Sequence, residues 1–380
     1  MGQTLLDLGT QPLVNNLCSS AEEAMAADRH PLRAEYDQDL CIHLDTEIPP
    51  SVLYGHYLYK SGVSKPYVEH CEKMFDSLSH LRPQTIIDIG GNDGTLLDAF
   101  QRQSPIPIER INVDASASFK EENEHKGIRY INALFNEALD LPKADVIIST
   151  NVFQHTKDIH SFLRGIKKHL NGVWVLEFPY TLTTLLTLQF DQFYHEHYYY
   201  WLVTPLAKLF AEYGLKIIYA KEMSIHGGTM RMWMTNKEPS ASAITSVIDS
   251  YKAKEQMVAH EEFNDGAKMH IEKSKSFISS LEGRTVFFGA AAKGCVFLNA
   301  LGLSIENMPN AYIVDDTLGK QGMFVPGTGF EICPRERLTE DKPDSVIILA
   351  HNFAQHIVQS LRQDNYEGHI YCCLPSIVQF

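Results

Sequence analysis

TIIDIGGNDGTLL, Thr85 to Leu97, decides how the chain is read. Ile86, Ile87 and Ile89 make an apolar run fit for a buried strand. The run ends in Gly90-Gly91, passes Asn92-Asp93-Gly94 and enters an amphipathic segment at Thr95. A strand, a glycine-rich turn and a helix start bring backbone N–H groups close to a nucleotide-like ligand. Glycine suits such a turn because it tolerates positive φ and leaves room for the ligand.

Outward from this turn, Ile108 to Asp114 forms a second apolar segment, closing in an acid about twenty positions after the glycines. An acid there can accept hydrogen bonds from both ribose hydroxyls of an adenosine cofactor. Ala144 to Thr150 is a third such segment, closing in Asn151. Strands alternating with helices describe a doubly wound α/β sheet, which binds cofactors at the carboxyl ends of its strands. Phosphate-binding turns of this kind favour an anion, whereas Asp88 and Asp93 flank this one. A cationic ligand fits better, and S-adenosylmethionine carries both an ammonium and a sulfonium. Asp88, Gly90, Gly91, Asn92, Asp93, Gly94, Asp114 and Asn151 are the expected cofactor contacts.

The 380 residues are too many for one ordinary core, so several domains are expected. The net charge of −14 disfavours non-specific binding to nucleic acid or anionic membranes. No apolar run reaches the roughly eighteen residues of a transmembrane helix. MGQTLLDLGT lacks the basic and apolar regions of a secretory signal. The seven cysteines form no Cys-x-x-Cys pair, which fits reduced thiols in a cytoplasmic protein.

Residues 1–75 read as a small irregular arm rich in Pro and Tyr, packed over the next domain or closing over its site. Tyr54, Tyr57 and Tyr59 crowd one short segment of it. Residues 76–235 hold the cofactor sheet, and 236–283 read as a solvated helical linker. Residues 284–380 restart the α/β alternation as a second Rossmann-like domain, with Lys293 in the small-residue turn GAAAKG. A lysine beside a helix N-terminus suits an anionic group such as a phosphate.

The densest polar-aromatic cluster is DQFYHEHYYYW, Asp191 to Trp201. On a strand His195 and His197 would share a face. No cysteine nearby completes a zinc site, so acid–base chemistry is favoured over metal binding. Histidine titrates near neutrality and is the usual general base. Opposite a sulfonium methyl it would remove a proton from a carbon next to a carbonyl. Tyr194 or His155 would then stabilise the oxyanion.

These motifs together resemble the S-adenosylmethionine-dependent C-methyltransferases of deoxysugar biosynthesis. The resemblance runs over LLDLGTQPLVNNL, YGHYLYKSG, IDIGGNDGTLL, NVFQH, EFPY, FDQFYHEHYYY, HGGTMRMWM, FGAAAKG, VDDTLGKQGMFVPGT and PDSVIILAHN. It implies a class I methyltransferase domain between a small N-terminal domain and a C-terminal Rossmann-like domain. The implied substrate is a nucleotide-linked keto-sugar. Carried over, His197 would be the base, and Tyr194, Glu196 and His155 would position the sugar. Tyr59, His226, Gly227, Arg231 and Lys293 would lie toward the substrate. The family's N-terminal domain usually binds zinc through two Cys-x-x-Cys pairs. Here Tyr36 and Asp39 stand where the second pair would fall, and Cys41 does not restore the spacing, so no structural zinc is expected. The arm would then be held by apolar contacts. Three other readings stay open: another carbon acid or a hydroxyl as acceptor, a binding protein without turnover, and a nicotinamide-dependent sugar oxidoreductase.

Overall fold

The computed structural model describes residues 2–46, 48–53, 60, 62, 65–238 and 244–380. Numbered along the chain, the strands are β1 Gln3–Pro12, β2 Arg29–Tyr36, β3 Ile42–Leu44, β4 Thr85–Ile89, β5 Glu109–Asp114, β6 Arg129–Asn132, β7 Ala144–Thr150 and β8 Leu170–Pro179. They continue with β9 Tyr199–Tyr200, β10 Lys216–Met223, β11 Thr229–Thr235, β12 Thr285–Phe288, β13 Ile313–Val314, β14 Ile332–Cys333, β15 Ser345–Ile348, β16 His369–Cys372 and β17 Val378–Gln379.

The middle sheet has the order β10-β11-β8-β7-β4-β5-β6. Strands β8 to β6 run parallel, and β11 is antiparallel to both β8 and β10. This is a Rossmann-like sheet with an antiparallel edge. Its inner strands are apolar on both faces because both faces are covered. Ile87 and Ile89 of β4 point into one core, and Ile86 points into the other with Tyr67, Cys71 and Met74 of the helix Lys65–Leu78. Every parallel strand therefore delivers its last residue to one edge, and the site is built there.

The N-terminal segment is more regular than its composition implies. β1, β2 and β3 form an antiparallel meander completed by β9 from the Tyr-His-Glu-His stretch. Its alternation is hard to read because the β1–β2 register shifts between Thr4 and Leu6 and between Asp7 and Thr10. Leu5, Leu6, Leu32, Ala34, Ile42 and Leu44 carry it into the main core. Tyr36 donates its hydroxyl hydrogen to Gln3 Oε1 at 2.6 Å, and Lys208 pairs with Asp39 at 2.9 Å.

The C-terminal sheet, β14-β13-β12-β15-β16-β17, is parallel except for β17. The helices Ile244–Gln256 and Phe263–Ser280 precede it. They are not a solvated linker. Phe263, Ala267, Ile271 and Ile278 are buried in the main core, and Glu255 is fully buried. Glu255 accepts from the Tyr180 hydroxyl at 2.7 Å, from Val203 N at 2.6 Å and from Thr204 N at 2.8 Å. It thus caps the helix Val203–Glu212 from another element. All seven cysteines are free thiols. Among the described residues no helix is long and apolar enough to cross a membrane.

Removing the Glu255 carboxylate strands four donors, the Tyr180 and Thr204 hydroxyls and the Val203 and Thr204 N–H groups. Glu255→Ala is expected to cost about 3 kcal/mol and to lower the thermal midpoint by several degrees, with Glu255→Gln milder. Calorimetric scanning of both variants checks this.

Candidate active site

At the end of β4 the chain turns at Gly90 with φ +69, where a Cβ would come within 2.7 Å of Val152 Cγ2. Val152 opens the segment after β7, so the glycine turn and the Asn151–His155 segment lie against each other. Neighbouring strand ends hold the turn. Gly91 N–H donates to Asn112 Oδ1 at 3.1 Å, and Asn92 N–H donates to Asp114 Oδ2 at 2.9 Å. Asn112 Nδ2 and Asn123 Nδ2 both donate to the Asn92 carbonyl, at 3.0 and 2.9 Å. Asn112 and Asn123 are absent from the sequence reading, although both are completely buried. The available signal was one uncharged polar residue inside the strand Ile111-Asn112-Val113. Asp93 needs correction as a cofactor contact. Its carboxylate caps the helix Thr95–Gln103 through Thr95 N at 3.1 Å and Thr95 Oγ1 at 2.7 Å. It also accepts from Gly62 N–H at 2.8 Å, so it braces the turn.

The electrostatics of this edge are one-sided. Asp88 is buried, and neither carboxylate oxygen has a hydrogen-bond partner. Burial, with Asp114 and Asp93 adding repulsion, pushes its pKa well above the usual carboxylate range. Burial also raises Asp114, whose two oxygens accept from Asn92 and Ser116 N–H groups and lower it in part. Asn151 at the end of β7 has φ +54 and a buried Oδ1 without a partner. Unpaired acceptors and excess negative charge fit a ligand that is cationic and rich in N–H and O–H donors. S-Adenosylmethionine has that chemistry. Asp88, Asn151 and Asp114 are the groups able to hold its charged and hydroxyl-bearing parts.

The Tyr-His-Glu-His segment reaches the same edge. Tyr198 N–H donates to the Gln154 carbonyl at 2.8 Å. The His155 ring lies near the Glu196 backbone and the His197 ring near the Gln192 backbone, each close enough to offset part of the lowering of its pKa. The His155 and His197 rings meet edge to face with centroids 4.7 Å apart, and Tyr194 lies 4.1 Å from His197. Burial lowers His155 to about 4. His197 falls well below its ordinary value, first by burial and then by the charges of His155 and Lys293. Glu196 moves the other way, to about 7, by burial, although the Asn15 amide bonds it at 2.5 Å. His195 and His197 do not share a strand face, because residues 195 and 196 form a turn. His195 faces the N-terminal sheet, with Nε2 3.1 Å from the Pro31 carbonyl and its ring against His30. Among the described residues no group of three or more His, Cys, Asp or Glu could hold a metal ion.

Of the residues expected toward the substrate, Tyr59 and the His226 side chain lie outside what is described. Gly227, φ +88, abuts the C-terminal domain, and a Cβ there would come within 2.4 Å of Asn352 Oδ1. Lys293 stands in the first turn of the helix Ala292–Ala300 and close enough to His197 to affect its charge. Burial lowers its own pKa to about 8 against the pull of Asp191. Arg231 needs correction. It pairs with Glu177, while His70 Nε2 lies 2.9 Å from both Glu177 Oε2 and Arg231 Nη2. All three side chains are buried, and they tie the helix Lys65–Leu78 to β8 and β11 rather than facing a substrate.

Comparison with known proteins matches this architecture. Residues 64–220 fit a model described as a methyltransferase domain, and 224–375 fit one described as a C-methyltransferase C-terminal domain. The chain thus carries a methyltransferase domain followed by a C-methyltransferase C-terminal domain. It is 26% identical over 384 residues to the C-methyltransferase NovU of Streptomyces niveus, covering 94% of this chain and 89% of that one. An S-adenosylmethionine-dependent methyltransferase from Clostridium acetobutylicum is 13% identical over 43% of this chain and 89% of its own, with TM-score 0.36. Magnesium protoporphyrin IX methyltransferase from Synechocystis, solved with bound S-adenosylmethionine, is 13% identical over 44% and 77%, with TM-score 0.35.

Asp88→Asn keeps the shape and removes the charge. It is expected to weaken S-adenosylmethionine at least about tenfold in calorimetry, and to weaken S-adenosylhomocysteine, which lacks the sulfonium, by less. Equal losses for both ligands would contradict the electrostatic role.

Proposed function

We propose that the protein methylates a carbon next to the ketone of a nucleotide-linked keto-deoxysugar, with His197 as the base. One observation carries this reading: a buried imidazole stands beside a second histidine and a tyrosine, on a segment bonded to the chain just past the end of β7. The likeness to C-methyltransferases, NovU among them, supports carbon as the acceptor atom, and the sugar rests on the motif resemblance drawn from the sequence.

The chemistry of His197 follows from its surroundings. A neutral imidazole keeps a lone pair on one ring nitrogen. Its lowered pKa keeps the ring neutral at pH 7. The lone pair takes the proton from the carbon beside the ketone, and the C–H electrons move into an enolate. Tyr194 supplies a hydrogen bond to the developing oxygen anion. When bound, S-adenosylmethionine would supply an electrophilic methyl for the enolate carbon, its sulfur keeping the C–S electron pair. Glu196, titrating at about 7, can donate to or accept from a sugar hydroxyl. A depressed base is a weak one, so the ketone must acidify the carbon and the geometry must supply alignment.

Methyl transfer from labelled S-adenosylmethionine to a thymidine diphosphate-linked keto-deoxysugar tests the proposal. His197→Ala is expected to slow it by about 100- to 10,000-fold. In the wild type, activity is retained while the ring is neutral and lost as pH falls through the folded pKa, which lies below 6.5. The rate is therefore expected to stay flat through pH 6.5, with its acid limb lower. Unchanged transfer in His197→Ala contradicts the mechanism. A new methyl found on oxygen by mass spectrometry contradicts the choice of acceptor.

A further inference from the structure

The glycine turn withholds its own N–H groups. In chain order, Gly90 N–H donates to the Val113 carbonyl at 2.8 Å, Gly91 N–H to Asn112 Oδ1 at 3.1 Å and Asn92 N–H to Asp114 Oδ2 at 2.9 Å. Asp93 N–H donates to Asn92 Oδ1 at 2.9 Å, Gly94 N–H to the Gly91 carbonyl at 2.9 Å and Thr95 N–H to Asp93 Oδ1 at 3.1 Å. A turn that cradles a phosphate needs such groups unpaired and pointing at the ligand. Here each backbone donor from Gly90 to Thr95 is spent inside the protein. The Lys126 ammonium, which reaches the turn, is spent on the Asp93 carbonyl at 2.6 Å. This edge offers acceptors instead: both Asp88 oxygens and Asn151 Oδ1 are buried without a hydrogen-bond partner.

Asn112 seals the middle of the turn from below. Its Oδ1 takes the Gly91 N–H, and its Nδ2 donates to the Asn92 carbonyl at 3.0 Å and to Asn123 Oδ1 at 2.9 Å. Asn123 donates to the same Asn92 carbonyl at 2.9 Å, and lies so close under the turn that a Cβ on Gly94 would come within 2.5 Å of its Oδ1. Two amides thus hold the Asn92 carbonyl inward, with Asn92 at φ +52. An apolar side chain would suit a strand covered on both faces and would bury without losing hydration of an amide. We propose that Asn112 is a specificity-determining residue: by occupying Gly91 N–H it makes the turn accept adenosine ligands with an uncharged or cationic 5′ group and reject those with a 5′ phosphate. A phosphate arriving here meets no free N–H from Gly90 to Thr95, and it meets the carboxylates of Asp88, Asp93 and Asp114. Discrimination then comes from unpaired and like-charged groups set against the wrong ligand. Base and ribose cannot supply it, because adenine nucleotides share both with S-adenosylmethionine. The proposal rests on the reading of this edge as the site of an adenosine cofactor.

The test is titration calorimetry on the full chain with S-adenosylhomocysteine, adenosine and adenosine diphosphate, comparing wild type, Asn112→Ala, Asn112→Ser and Asn123→Ala. The wild type is expected to bind S-adenosylhomocysteine, and to bind adenosine diphosphate at least about tenfold more weakly than adenosine. Asn112→Ala frees the Gly91 N–H and is expected to shrink that ratio about tenfold. Asn112→Ser, whose hydroxyl is too short to span Gly91 and Asn92, shifts the ratio the same way and serves if Asn112→Ala does not fold. Asn123→Ala leaves the Gly91 bond in place, so it is expected to keep the ratio while weakening S-adenosylhomocysteine. A residue that only stabilised the fold would weaken adenosine and adenosine diphosphate by one common factor. An unchanged ratio in the Asn112 variants overturns the proposal, as does a wild type that binds adenosine diphosphate as tightly as adenosine. A wild type that binds no S-adenosylhomocysteine overturns the cofactor reading itself.

Discussion

The hydrogen bond from Tyr198 N–H to the Gln154 carbonyl, 2.8 Å, joins the two halves of the site. Gln154 lies just past the end of β7, where the sheet delivers its polar residues, and Tyr198 follows the Tyr-His-Glu-His segment directly. Through that bond, and the edge-to-face contact of the His155 and His197 rings, a long excursion of the chain is pinned to the strand ends of the middle sheet. The glycine turn is on the other side of the same segment, with Val152 against Gly90. A base, a cofactor turn and a tyrosine are therefore held by backbone groups, which move less than side chains alone.

Desolvation then sorts the ionisable groups by role. At the glycine turn, the buried Asp88 carboxylate has no hydrogen-bond partner among the described residues, and desolvation raises its pKa. A short distance away, the same low dielectric acts on cations. His197 and His155 are driven neutral, and Lys293 is lowered to about 8. Glu196 is driven toward its acid form. Environments that move acids up and bases down within one pocket suit proton transfer near neutral pH.

Much of this was legible in the sequence because it rests on local rules. An apolar run, glycines and a following amphipathic helix specify β4 and its turn within a few residues. The acid closing β5 and the second α/β alternation follow from the same period. What escaped reading depends on tertiary partners. Asn112 looks like a blemish in a strand until its bonds to Gly91 and Asn92 are seen. Arg231 follows a glycine turn in sequence, but its strand register sets it beside Glu177, and that pairing commits it to the core. Glu255 reads as one more charge on a polar helix, yet it is buried as the cap of another helix. The N-terminal meander was hidden by its shifted register. His195 and His197 diverge because a turn, not a strand, separates them.

The central claim is spatial: the free nitrogen of His197 faces the carbon that receives the methyl group, above the Gly90–Gly94 turn. A crystal structure with S-adenosylhomocysteine and a thymidine diphosphate-linked keto-deoxysugar measures it directly. The account predicts the ligand's sulfur over that turn, the carbon beside the ketone about 3–3.5 Å from the His197 nitrogen, and the ketone oxygen toward Tyr194. A sugar carbon bound out of reach of His197, or a sulfur held away from the glycine turn, would contradict it.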